Sequence, residues 1–203
     1  MRCCRKAPEP PLAGLLVLLL ALCCAILPAR ASEISLRAPQ IAAQEDGYAV
    51  SADFNINFNP RLEEAVARGV VLHFVFEFEL TRPRWYWLDE EIVSRSQTRR
   101  LSYHALTRQY RLSTGALHQS FATLDEALRV LARLRHWQVL DKGMVKPGET
   151  YLASLRLRLD LTQMPKTFQV GALADRDWNL ASEWGRWSFI PSEAGEAPAG
   201  EAR

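Results

Sequence analysis

Apolar residues fall on every second position in three stretches of the chain. Tyr48, Val50, Ala52, Phe54, Ile56 and Phe58 alternate with Ser51, Asp53, Asn55 and Asn57. Leu72, Phe74, Phe76, Phe78 and Leu80 alternate with His73, Glu77 and Glu79. Leu155, Leu157, Leu159 and Leu161 alternate with Arg156, Arg158 and Asp160. A period of two sets one row against an interior and the other against water, as in a half-buried strand. Three such strands predict antiparallel sheets packed face to face. Weaker alternation predicts further strands over 33–43, 92–104, 108–113, 116–121 and 184–190.

Two stretches change to a helical period. "NPRLEEAVARG" offers Asn59 as a cap, Pro60 in the first turn, acids near the positive end and Gly69 as a stop. "TLDEALRVLARLRHW" opens on a capping box, Thr123 and Glu126. Leu124, Ala127, Leu128, Leu131 and Leu134 then form one apolar stripe, with His136 at the helix end. "KPGE" at Lys146–Glu149 reads as a turn. The expected fold is an immunoglobulin-like antiparallel β-sandwich with two short amphipathic helices, one domain over 32–190.

The two ends of the chain read differently. "MRCCRKAPEP" is basic, Leu12–Leu27 is almost wholly apolar, and "PARAS" supplies a small-x-small site. These are the parts of a secretory signal peptide with cleavage after Ala31. The expected address is the periplasm, with no stable membrane span after cleavage. The alternative is an uncleaved anchor that leaves the domain facing the periplasm. All four cysteines lie in this leader, so the mature chain has no thiol or disulfide chemistry. Four of the 25 basic and one of the 23 acidic residues also lie there, leaving 21 and 22. A near-neutral mature chain gives nucleic-acid binding no support. The tail from Pro191 holds no large apolar residue and is expected to be disordered.

The stretch "RWYWLDEEIVSRSQTRRLSYHALTRQYRLSTGALHQSFATLDEALRVL", residues 84–131, together with "KPGE" and "DWNL" at Asp177–Leu180, resembles an uncharacterised exported family of proteobacteria. It is the domain-of-unknown-function family numbered 4390. The resemblance implies a Gram-negative periplasmic protein. It assigns no activity, and it makes a membrane sensor kinase one candidate partner.

Chemistry-bearing motifs are sparse. There is no HExxH, GxSxG, phosphate loop or GxGxxG. No histidine of His73, His104, His118 and His136 has a partner at helical spacing, so no metal or other cofactor is expected. Glu77 and Glu79 leave one strand face together, but acids on a wet face are ordinary, and a hydrolase is the least favoured reading. Three clusters remain as candidate binding residues. "RPRWYW" offers Arg84 and Tyr86. A phase shift at Pro83 is expected to turn Trp85 and Trp87 inward and leave Arg84 and Tyr86 outside. "TRQYR" offers Arg108, Tyr110 and Arg111, which with Arg99 and Arg100 suit a basic patch for an acidic partner or a phosphate-bearing ligand. The structural alternative is cross-strand pairing of these arginines with Asp89, Glu90 or Glu91. "DRDWNLASEWGRW" offers Trp178 and Trp184 in a recognition loop or lid. The function expected is a noncatalytic interaction protein that docks an envelope protein. The alternative is a binder of a small lipid or sugar near Trp178 and Trp184.

Overall fold

The computed structural model describes residues 34–86, 88–166 and 178–192. In chain order the elements are β1 (Ile34–Gln44), β2 (Gly47–Ile56), α1 (Pro60–Ala67), β3 (Leu72–Arg82), β4 (Glu90–His104), β5 (Gln109–Thr114), β6 (Leu117–Phe121), α2 (Leu124–Leu131), β7 (Arg133–Asp141), β8 (Tyr151–Leu159), a 3-10 turn (Leu161–Gln163) and β9 (Gly185–Phe189). The strands form two antiparallel sheets, ordered β1-β2-β7 and β6-β5-β4-β3-β8-β9. The protein is mainly β, two sheets with two helices.

The alternating residues of β3 explain why the sheets stack. Leu72, Phe74, Phe76, Phe78 and Leu80 are wholly buried, and so are Leu155 and Leu157 on the neighbouring β8. Across the interior, Phe54 of β2 meets Phe76 edge-on with centroids 5.5 Å apart. Trp137 of β7 meets Phe78 at 6.5 Å, and Tyr48 of β2 meets Phe189 of β9 at 5.3 Å. Such edge-to-face pairs place the positive ring edge on the negative face of the next ring.

Three strands cannot cover six, and the helices take the remainder. α2 packs against β5, β6 and β7, while α1 packs against β4. Both start as the sequence predicts. The Asn59 Oδ1 accepts the Leu62 amide at 2.9 Å. Thr123 Oγ1 accepts the Glu126 amide at 3.3 Å, and the Glu126 carboxylate accepts the Thr123 amide at 3.4 Å.

α2 stops earlier than its apolar stripe predicts. It ends at Leu131, and Leu134 belongs to β7, so His136 lies in a strand and not at a helix end. Leu131 and Leu134 satisfy a helix and an inward-facing strand equally. Pairing with β2 decides between them, because without β7 the β2 edge would lack a ladder partner. The register slips between Val50 and Ala52, and His136 takes a positive φ of 47° beside that slip.

Arg99 is a second departure. It sits on the inward face of β4, its guanidinium 4.7 Å from the Phe76 centroid. Nη1 donates to the carbonyls of Val130, Leu131 and Arg133 at 3.3, 3.2 and 2.9 Å. It therefore terminates α2 by satisfying the orphan carbonyls of its last turn. Burial pushes its guanidinium down from the ordinary arginine value. Arg99 is thus no part of a surface basic patch.

The expected leader and cleavage site at Ala31 lie outside the described residues, as do 193–203. Pro191 is buried, and its carbonyl accepts the Gly148 amide at 3.1 Å. No helix among the described residues is long and apolar enough to cross a membrane.

Candidate functional site

The β3–β4 hairpin carries the most exposed aromatic residues of the described chain. β3 ends at Arg82, and β4 begins at Glu90 opposite it. The register slips between Leu80 and Thr81, three residues before the irregularity expected at Pro83. Residues 83–86, 88 and 89 therefore lie in a loop and not in a strand crossing a corner. Trp85 is 95% exposed, so it does not turn inward. Tyr86 is 65% and Leu88 81% exposed. Trp85 and Tyr86 pack edge to face, centroids 5.2 Å apart and planes at 72°. Trp87 lies outside the described residues.

A charged collar holds the base of this loop. Glu90 is paired with Arg82, and Arg84 reaches the same carboxylate at 2.5 Å. Arg82 also reaches Glu149 at 3.3 Å, and Glu149 accepts the Tyr151 hydroxyl at 3.0 Å. The Arg84 amide donates to Asp89 Oδ1 at 3.4 Å and closes the loop. Hydrogen bonds from Arg82 and then Arg84 hold the Glu90 carboxyl below its ordinary value. The Tyr151 hydroxyl does most to lower Glu149. Arg82 alternates toward the interior but lies at its rim, where two carboxylates neutralise it.

The other predicted residues do not join this cluster. Arg108 is exposed in the β4–β5 turn at φ 52°, beside Leu106, which is 93% exposed. At about 3.4 Å per residue, the 15 residues of β4 hold this turn roughly 45 Å from the aromatic tip. Tyr110 faces the interior side of β5 and packs against the core, its ring 5.0 Å from Tyr103. Arg111 points to the opposite, outer face, opposite Ser102. Trp178 is half-buried against the core. Trp184 lies over Arg156, 4.3 Å from guanidinium to ring centroid. Asp175, Arg176 and Asp177 lie outside the described residues.

Arg156 and Arg158 share Glu77. Arg156 bonds one carboxylate oxygen, and Arg158 Nε bonds the other at 2.8 Å. With both oxygens engaged, Glu77 does not form a free acid pair with Glu79. Among the described residues no three His, Cys, Asp or Glu side chains come together as a metal site. Two open depressions flank α2. One of about 560 Å³ lies between the helices and is lined by Pro60, Glu63, Glu64 and Tyr110 among others. Neither is lined by Trp178 or Trp184.

With that geometry in place, comparison with known proteins supplies one decisive match. Residues 31–188 match the family described as Domain of unknown function (DUF4390). The chain belongs to that family. The match takes in both sheets, both helices and the aromatic hairpin, so the tip and its collar lie within the DUF4390 domain. Neither a curated protein nor a solved structure matches the chain.

Sequence reasoning found the tip and placed Tyr86 outside, but it turned Trp85 inward. It carried the strand past a bulge at Pro83, whereas the ladder ends at Arg82. The usable signal was Glu90, the acid that gathers both arginines at the loop base.

Proposed function

We propose that this protein is a noncatalytic docking protein of the bacterial envelope, and that the β3–β4 tip is the element that engages its partner. One observation carries the reading: Trp85, Tyr86 and Leu88 are held out in solvent above a collar of ion pairs. Fully burying an apolar side chain of this size is worth about 1.5–3 kcal/mol, so such exposure is unfavourable unless a partner covers it. Tryptophan and tyrosine contribute disproportionately to protein interfaces. A loop already fixed at its base loses less conformational entropy on docking.

The partner this favours is a protein with a concave apolar pocket and a polar rim. The periplasmic face of a membrane sensor kinase is one candidate, from the family resemblance. The leader-like start of the sequence supports a periplasmic address. The alternative, a small lipid or sugar near Trp178 and Trp184, draws no support from those rings, since one packs on the core and the other on Arg156.

The test is photo-crosslinking in the producing cell, with the reactive residue placed in turn at Trp85, Leu106 and Trp184. A discrete adduct from position 85, absent from the other two, is expected. Equal labelling from all three positions, or none from position 85, contradicts the reading.

A further inference from the structure

The outer face of the β4–β5–β6 arm presents arginines that make no ion pair among the described residues. The outward residues of β4 from Ser94 to His104 are serine, threonine, arginine and histidine. On β8 of the same sheet the arginines are neutralised. Arg156 and Arg158 share Glu77, and Arg158 also reaches Asp160 at 3.6 Å. Among the described residues the Arg100 side chain bonds the Gly115 carbonyl, at 3.2 Å. Arg111 makes no ion pair among the described residues, and its Nε is buried without a hydrogen-bond partner. A buried donor left unpaired is unfavourable, so a shift of the Arg111 side chain that brings Nε out to an acceptor is favoured.

Register brings the two arginines together. Arg100 stands opposite Ser113, and Ser102 stands opposite Arg111. The four residues form a square with arginines on one diagonal and serines on the other. Diagonal neighbours on one sheet face lie about 7–8 Å apart, so the Arg100 guanidinium, here turned to the Gly115 carbonyl, can meet that of Arg111 on one point by changing rotamer. Two forks and two hydroxyls exceed what the two oxygens of a carboxylate can accept. They suit a group with three free oxygens and a double negative charge.

We propose that this square is a binding site for a phosphomonoester, with Arg100 and Arg111 gripping its oxygens and Ser102 and Ser113 donating from the sides. The inference stands apart from the docking role of the aromatic tip. His73 adjoins the square, opposite Arg100. Its pKa is lowered by burial first and then by Arg100, against an opposing pull from Asp160. A bound dianion offsets the repulsion from Arg100 and raises the midpoint at which His73 titrates.

The test follows the His73 ring by NMR in the purified protein, with inorganic phosphate as the probe. Phosphate should move the His73 midpoint upward. Arg100→Gln and Arg111→Gln should each weaken phosphate binding by about 10- to 100-fold, the worth of one charged hydrogen-bonded contact. Arg186→Gln, on the β9 edge of the same sheet, should leave it unchanged. Arg111→Gln should not lower Tm, because the Arg111 side chain makes no ion pair among the described residues and its Nε has no hydrogen-bond partner there. Vesicles of phosphatidate against phosphatidylcholine separate the sources. Arginine-dependent binding to phosphatidate assigns a lipid headgroup, and phosphate binding without vesicle binding assigns a soluble ester. Unaltered phosphate affinity in Arg111→Gln, or an unmoved His73 midpoint, overturns the site. A glutamate peptide that binds more tightly than phosphate overturns the ligand class.

Discussion

Arg82 and Glu90 face each other across the last rung of the β3–β4 ladder, and their ion pair is the footing of the aromatic tip. Glu90→Gln removes the shared carboxylate charge from Arg82 and Arg84 together. The loop at 83–89 should then exchange its amides faster and be cut sooner by protease, while the sheet core stays protected. Hydrogen exchange resolved by peptide distinguishes this local loosening from global unfolding.

The same pair sets an acid limit. The folded Glu90 carboxyl is held below its ordinary value of 4.5, chiefly by the Arg82 hydrogen bond. The unfolded chain therefore takes up its proton first as pH falls. The contribution of Glu90 is complete above that ordinary value and is lost as pH drops through the lower folded one. Loop protection should decline in that window, and Glu90→Gln should abolish the decline. His73 acts in the same sense at higher pH. Its folded pKa lies below 6.5, so its contribution is complete above 6.5 and diminishes as pH falls toward the folded value. His73→Gln should flatten the stability profile below 6.5, read from urea midpoints at a series of pH values.

Arg99 predicts a large effect from a single surface-type residue. Arg99→Met keeps the contact over Phe76 but leaves the carbonyls of Val130, Leu131 and Arg133 without their donor. Losing a charge-assisted donor to these partly buried carbonyls costs about 1.5–3 kcal/mol. Arg99→Lys should recover part of the loss, since an ammonium lacks the fork. Denaturant titration measures both.

Two glycines should respond unequally to alanine. Gly47 starts β2 at φ +146°, and a Cβ there would stand 2.0 Å from the Leu140 carbonyl oxygen. Gly115 turns β5 into β6 at φ +57° with open space around it. Gly115→Ala should cost about 1–2 kcal/mol, the left-handed penalty alone. Gly47→Ala should cost about 3 kcal/mol or more, because backbone must move. Equal urea midpoints for the two variants would contradict this placement of Gly47.

Much of this fold is legible in the chain, because period and capping are local. The inward rows of β2, β3 and β8, the Asn59 cap and the Thr123–Glu126 box all follow from residues within one element. β7 is not legible, because Leu131 and Leu134 serve either period and only the β2 edge chooses. Arg99 is hidden for a related reason. β4 carries polar residues on both faces, and which face is inward depends on α2 needing a donor. Arg100 and Arg111 are visible as charges, but their diagonal requires the β4–β5 register. Trp85 departs from its expected inward side because the end of a ladder leaves no mark in alternation.

The docking role of the tip is tested most directly by the affinity of the crosslinked partner for two forms of the protein. In the second form Trp85→Ser and Tyr86→Ser remove both rings and leave Arg82, Arg84 and Glu90 in place. Affinity should fall by about 30-fold or more, the loss of at least one interface anchor, with Tm unchanged because neither ring packs on the core. Equal affinity for the two forms would contradict the account.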